Sequence, residues 1–177
     1  MNKNHYSVVG KSIKKLDGIS LVTGAAKFTD DFEMRGMLYG KILFSPHAHA
    51  RIKSINTEKA KSVPGVHAVI TYKDISRVPF TTAGQGHPEP SPYDTYTLDS
   101  KVRFIGDRVA GVAAETPEIA GKAIELIEVD YELLPAILDP EKAMEPGAPV
   151  IHDEKDSSGI FDASKNLVAH VKAWAWG

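Results

Sequence analysis

Hydrophobic residues in the first half of the chain recur with the spacing of strands. From Met37 to Phe44 three apolar residues fall on one face at period two, which predicts a strand, with Gly40 allowing close approach of a neighbour. Pro46 follows and removes a backbone donor, so the strand ends there. Further strands are predicted at Arg51–Ile55 and Val66–Ile70, and between them Thr57 is a candidate cap for a short helix, Glu58–Ser62. The three apolar residues of the first strand are Leu38, Ile42 and Phe44.

The second half repeats the same order of elements. Val102–Ile105 and Arg108–Ala114 are predicted strands, separated by a bend at Gly106-Asp107, and the second is apolar on both faces, as a covered central strand is. Thr116 and Pro117 have the side chain and the backbone angle that begin a helix. A strand with one solvent-exposed face follows that helix. The helix stripe is Ile119, Ala120, Ala123, Ile124 and Ile127, and the strand alternates through Ile127, Val129 and Tyr131.

This order of elements predicts an α+β fold. Strand, strand, helix and strand occur twice, so we expect a mixed sheet with two main helices. We expect an N-terminal arm at residues 1–36, one domain at 37–152 and a C-terminal tail at 153–177. At 177 residues the chain is long enough for one substantial core.

A long segment between the two halves has no periodic pattern. Ser76–Asp99 is rich in proline and glycine and has no regular spacing of apolar residues. Loops of this length in a compact domain usually serve binding or lie against another surface. We therefore expect the loop to be mobile in the isolated chain and ordered only against a partner.

The tail predicts one more extended segment. Between Asn166 and Trp176 apolar residues lie on both faces of a strand, and Trp174 and Trp176 share one of them. Each tryptophan buries about 200 Å² when covered. We expect the tail to pair with other sequence of a complete enzyme, and in this chain alone to self-associate or to fold back.

Composition excludes several classes of function. The 21 basic and 23 acidic side chains are mixed along the chain, so the sequence does not indicate a positively charged surface that would bind nucleic acid. The sequence has no cysteine, which excludes disulfides, zinc-thiolate sites and iron-sulfur ligation by this chain. It shows neither a signal peptide nor an apolar run that could span a membrane, so we expect a cytoplasmic protein.

Two histidines form the first candidate site. His47 and His49 would face one side of an extended chain and could occupy two corners of a zinc site. No spacing nominates a third ligand among the other five histidines. We therefore predict packing or hydrogen bonding for the pair, and a histidine-dependent metal hydrolase is kept only as an option for metal analysis to exclude.

The other candidates are charged or glycine-rich. Asp30-Asp31 could bind a cation, but a turn with backbone capping explains the pair more simply. Gly84-Gln85-Gly86 follows no strand and precedes no helix, which disfavours a phosphate loop. We expect ordinary solvated carboxylates at Glu89, Asp94 and Asp99. Arg103, Asp107 and Arg108 form either an exposed ionic network or the rim of a contact with another domain, and the sequence leaves both open.

Two blocks resemble one enzyme family. They are KILFSPHAHAR from Lys41 to Arg51 and KVRFIGDRVAGVAAE from Lys101 to Glu115, and further matching segments extend from Asp17 to Glu154. These blocks resemble the N-terminal part of the molybdopterin-binding subunit in the xanthine dehydrogenase and aldehyde oxidase family. The resemblance implies the α/β-hammerhead fold.

The resemblance also implies a function. Such enzymes hydroxylate purines, aldehydes or N-heterocycles with water as the oxygen source, and they pass electrons from molybdopterin to iron-sulfur clusters and usually to FAD. No residue here matches a catalytic, cofactor-binding or metal-binding position of the family. The chain is thus expected to be a non-catalytic fragment or split piece, with the remaining molybdopterin-binding region and the iron-sulfur and FAD subunits as partners. Phe80, Gln85 and Tyr93 are candidates for a channel rim or a partner contact, and the alternative is a free-standing interaction module.

Overall fold

The chain divides into two compact units, each described by itself. The structure is a computed structural model that describes residues 6–82, 92–172 and 174. Contacts between residues separate Met1–Met37 from Leu38–Gly177. The candidate Gln85 and the residues Trp176 and Glu89 lie outside the described residues.

The first unit is a chain of short turns. Its regular elements are helix α1, Gly18–Val22, and a 3₁₀ turn, Thr29–Asp31. None of its described residues is buried. The Asp31 carboxylate accepts the Phe28 N–H at 2.9 Å, so the second aspartate of this pair caps the backbone as predicted.

The second unit has six strands and three helices in its described residues. All predicted elements of the two repeats are present, although several bounds differ. The strands are β1 Tyr39–Phe44, β2 Ala50–Asn56, β3 Val66–Thr71, β4 Lys101–Val102, β5 Arg108–Ala114 and β6 Glu128–Leu133, and the helices are α2 Glu58–Lys61, α3 Pro117–Glu125 and α4 Pro140–Ala143.

The two repeats exchange their middle strands. In sheet one the order is β1-β5-β3, so the middle strand of the second repeat lies between the outer strands of the first. In sheet two the order is β4-β2-β6, which is the reciprocal arrangement. Every ladder between these strands is antiparallel. The α+β class is confirmed, but the expected mixed sheet is two antiparallel sheets.

Helix α3 packs on sheet one. The Thr116 hydroxyl accepts the Ile119 N–H at 3.2 Å and Pro117 begins the helix, as predicted. Ala120 and Ala123 are fully buried, and such small side chains let the helix approach the sheet closely. A second cluster, which includes Val109 of β5, lies against β2 and β4 and joins the sheets.

A glycine is required where β3 begins. Gly65 has φ +87°, and a Cβ at this position would come within 2.8 Å of the Ile119 Cδ1 atom. The backbone angle therefore favours glycine, and a side chain here would also have to displace the end of the Ile119 side chain. The bend at Pro64-Gly65 is the feature that ends α2 and aligns β3 beside β5.

Two predicted strands are shorter than expected or missing. The strand predicted at Val102–Ile105 ends at Val102, because the next residues turn and the Gly106 N–H donates to the Ser45 carbonyl at 2.8 Å. The described part of 166–176 contains no strand. Instead the Asp162 and Leu167 backbones pair at 2.9 Å, so the start of this tail turns back on itself.

Candidate functional site

The long loop has a fixed base. The Phe80 N–H donates to the Thr95 carbonyl at 2.8 Å and the Thr95 N–H donates back at 3.1 Å. The Tyr93 N–H donates to the Ser158 carbonyl at 2.8 Å, which ties the loop to the segment after β6. Mobility of the whole 76–99 loop remains a prediction, but both of its described ends are paired.

The two described rim candidates have different surroundings. The Phe80 ring is half-buried, with the Arg108 guanidinium 5.6 Å from its centroid. The Tyr93 side chain is exposed beside its backbone pair with Ser158. The Tyr93 side chain is therefore available to a partner, whereas the Phe80 ring is already contacted by Arg108.

A buried ionic cluster lies beneath this base. The Arg103 guanidinium donates to the Asp99 carboxylate at 2.8 Å and to Glu154 Oε1 through its Nε at 2.9 Å. The three side chains are only 7–8% exposed. Arg77 donates to both oxygens of Asp99, at 3.0 and 3.2 Å. Buried charges are tolerated when they are paired and hydrogen-bonded. Glu154 Oε2, in contrast, is buried without a hydrogen-bond partner among the described residues and lies 3.5 Å from His152 Nδ1.

Tyr96 completes the cluster from the loop side. The Arg77 guanidinium carbon lies 3.7 Å from the Tyr96 ring centroid, a cation–π contact. The Tyr96 hydroxyl donates to Asp156 at 3.0 Å, and Arg77 also pairs with Asp156. Burial, together with this bond to Asp156, raises the pKa of Tyr96 to about 12.

The cluster keeps its carboxylates ionised. Burial opposes ionisation of Asp99, but hydrogen bonds from Arg77 and Arg103 outweigh it and lower the pKa of Asp99. The same holds for Glu154, where burial is outweighed by the His152 contact and by the bonds from Arg103, so its pKa is also lowered.

The structure corrects the expected role of Asp99. We predicted a solvated carboxylate, yet Asp99 is buried between two arginines. Asp107 does not join Arg103 and Arg108 in a side-chain network. Its oxygens accept the backbone N–H groups of Arg103 at 3.0 Å and Arg108 at 2.9 Å, so it shapes the bend.

The same cluster fastens the segment after α4. The buried Lys101 ammonium donates to the Ile151 carbonyl and to Asp153, both at 2.6 Å. Sequence reasoning missed Arg77, Lys101 and Glu154. A signal was present, since Asp99, Lys101 and Arg103 alternate at period two beside an apolar strand, and charges in that position need buried partners.

The paired histidines make hydrogen bonds and packing contacts. His49 is buried, its Nδ1 donates to the Pro135 carbonyl at 2.7 Å, and its Nε2 has no hydrogen-bond partner in the described part of the chain. His47 packs edge-on against Tyr131, with 4.8 Å between the ring centroids. The predicted packing and hydrogen bonding are confirmed, and the metal content of the chain remains a prediction.

The cavity beside the cluster does not fit a redox centre. It has a volume of about 290 Å³ and is lined by Asp94, Asp99, Arg103, Asp107 and His152 among others. Within residues 6–82, 92–172 and 174 no three His, Cys, Asp or Glu side chains converge to hold a metal ion. Asp99 and Arg103 are already committed to each other, and the sequence has no thiolate for an iron-sulfur cluster. The described residues therefore offer no cluster of side-chain ligands for a metal ion.

Reciprocal three-stranded sheets with α2 and α3 on sheet one define a two-layer α+β domain of hammerhead type. Residues 23–135 match the family model described as the aldehyde oxidase and xanthine dehydrogenase a/b hammerhead domain. The chain belongs to this family, and the resemblance found in the sequence is confirmed.

Curated relatives support the same assignment. A probable hypoxanthine oxidase of Escherichia coli is 41% identical over 152 residues, which are 86% of this chain and 16% of that protein. The carbon monoxide dehydrogenase large chain of Afipia carboxidovorans is 39% identical over 174 residues, 96% of this chain and 21% of that protein. The chain thus spans about a fifth of the length of these relatives.

Solved structures have the same fold. A crystal structure of Cu,Mo-CO dehydrogenase superposes with a TM-score of 0.70 and 40% identity, over 81% of this chain and 18% of that one. The quinoline 2-oxidoreductase of Pseudomonas putida gives a TM-score of 0.68 and 34% identity, over 78% of this chain and 18% of that one. Among the described residues, no helix has the length and apolar character that a membrane crossing requires.

Proposed function

We propose that this chain is the hammerhead domain of a molybdenum hydroxylase large subunit and acts there as a packing unit without catalytic residues. The observation that supports this is the similarity along nearly the whole chain to one part of much longer relatives. One of these relatives is named for copper and molybdenum, and another is named a molybdenum-binding subunit.

The complete enzyme would supply the chemistry. It would bind molybdopterin in the region beyond the hammerhead, and iron-sulfur and FAD subunits would carry electrons away. Its substrate would be a purine, an aldehyde or an N-heterocycle, hydroxylated with water in the cytoplasm. The division into residues 1–36, 37–152 and 153–177 belongs to this proposal.

Within that enzyme, the base of the 76–99 loop is the part nearest to a functional role. Tyr93 is exposed next to a backbone held on both sides, which suits a contact with a partner or a channel rim. Gln85 is proposed for the same rim from its place in the sequence. Phe80 would position the loop through its contact with Arg108.

A chimera tests this proposal. This chain would replace the matching segment of the carbon monoxide dehydrogenase large chain, with the unaltered host and a host lacking the segment as controls. We expect the chimera to be soluble and to retain molybdenum near the host level, whereas the deletion host loses both. A chimera that behaves like the deletion, both here and in a xanthine dehydrogenase molybdenum-binding subunit host, contradicts the proposal.

A further inference from the structure

One face of sheet one is apolar and stays partly exposed among the residues that the structure describes. Leu43 of β1 and Val69 of β3 point toward the core beneath α3. Because side chains alternate along a strand, the neighbouring Ile42 and Ile70 point the other way. Their exposed fractions are 43% and 41%, respectively.

The strand register makes this face a shallow trough. Ile42 of β1 and Ile70 of β3 both pair with Gly111 of β5, which places a glycine between two isoleucines. In the next row, Gly40 and Ala68 both pair with Ala113. The floor is therefore made of glycine and alanine. We call these six residues the trough face, and a cavity of about 370 Å³ lies along it.

The composition of the trough face suits burial. It carries no polar side chain, so covering it leaves no donor or acceptor of its own without a partner. β5 is apolar on its α3 side as well, where Ala110, Val112 and Ala114 are buried. Strands that are apolar on both faces are typical of sheets covered on both sides. At the Val109 end sheet two already provides such a cover.

We propose that the trough face is the docking surface for an apolar part of the molybdenum-binding remainder of the large subunit. This inference rests on the proposed function. The trough face has six residues, whereas a stable interface between separate chains uses about 20–30 residues a side. A second copy of this chain would therefore gain too little from this face.

A polypeptide in the same subunit does not have this difficulty. Segments of one chain meet at effective concentrations on the order of millimolar, so a small apolar contact is sufficient. In the relatives, about four fifths of the length lies outside the part that this chain matches. We propose that a segment from this additional part of the subunit covers the trough face.

Thiol labelling tests the inference directly. The chain has no cysteine, so Ile70→Cys introduces a single reactive site. Leu126→Cys is the matched control, because Leu126 is 38% exposed and lies at the end of α3, away from the trough face. Maleimide labelling rates would be measured in the isolated chain and in the carbon monoxide dehydrogenase chimera, with the labelled peptide identified by mass spectrometry.

We expect Ile70→Cys to react at least tenfold more slowly in the chimera than in the isolated chain, while Leu126→Cys reacts equally in both. Equal rates for Ile70→Cys in a chimera that assembles would overturn this inference and leave the proposed function intact. Protection of Ile70→Cys already in the isolated chain would also overturn it, and sedimentation would then separate a second copy from a segment of the same chain. If the chimera does not assemble, the inference fails together with the proposed function.

Discussion

The two sheets are built by the same exchange of strands but are completed by different forces. Sheet one is held by small apolar side chains, with Ala120 and Ala123 of α3 packed against β5. Beside sheet two, Lys101 and Arg103 hold the segment after α4 by charge and hydrogen bonds. The same topology therefore accommodates a helix packed by apolar side chains on one sheet and a segment held by ion pairs beside the other.

This difference has consequences for stability. An apolar contact weakens gradually as its fit is lost, because each buried methylene contributes only about 0.8 kcal/mol. A buried ionic cluster fails sharply, because removing one partner leaves another charge buried without compensation. We therefore expect the two sheets to respond differently to substitutions and to pH.

The largest effect is expected in the ionic cluster. Arg103→Met removes the central cation and leaves Glu154 and Asp99 short of a buried partner, which we expect to lower the free energy of unfolding by about 3–5 kcal/mol. Urea unfolding followed by circular dichroism measures it. The control is Lys59→Met, which breaks the exposed pair with Glu128 and should lower the free energy of unfolding far less, because exposed ion pairs contribute little. Equal losses in the two variants would refute the distinction.

A smaller effect is expected in sheet one. Ala120→Leu inserts a larger side chain under α3, where no space is available, and should cost about 1–3 kcal/mol. Ala68→Leu enlarges a residue on the trough face and should change stability by less than about 0.5 kcal/mol. The same urea experiment compares the two. A cost at Ala68 as large as that at Ala120 would show that the trough face is already packed in the isolated chain.

The smallest effect near neutral pH is expected from titration of the cluster. The folded-state pKa values of Asp99 and Glu154 are lowered, so the stability they contribute is present above their unfolded values and is lost as pH falls. Little should change between about pH 7 and pH 5, and stability should decline below about pH 4. The decline should be shallower in Asp99→Asn, measured by thermal unfolding across pH. An unchanged decline in this variant would assign the acid sensitivity to other groups.

Much of the fold was predictable because its elements are local. The helix after Thr116 and the alternation of β6 follow from spacing and capping alone. The partners of β2 and β5 were not predictable, because exchange of middle strands depends on contacts between distant residues. The spacing of Ile42 and Phe44 indicated strand β1, but a strand pattern does not say what covers its apolar face.

The site was harder to predict than the fold. Asp99 lies in a proline-rich region where most carboxylates are solvated, and its partner Arg77 is 22 residues away in sequence. Glu154 lies about 50 residues from Arg103. Neither pairing follows from local spacing. The blocks around His47 and Gly106 nevertheless identified the family, because they resemble it in residue identity and order.

Molybdenum stoichiometry tests the central claim most directly. We propose that this chain packs within a molybdenum hydroxylase and supplies no ligand to its metal. After reconstitution with molybdopterin, elemental analysis should find no stoichiometric molybdenum on the isolated chain, while the carbon monoxide dehydrogenase chimera retains the host level. One molybdenum per isolated chain would contradict the account.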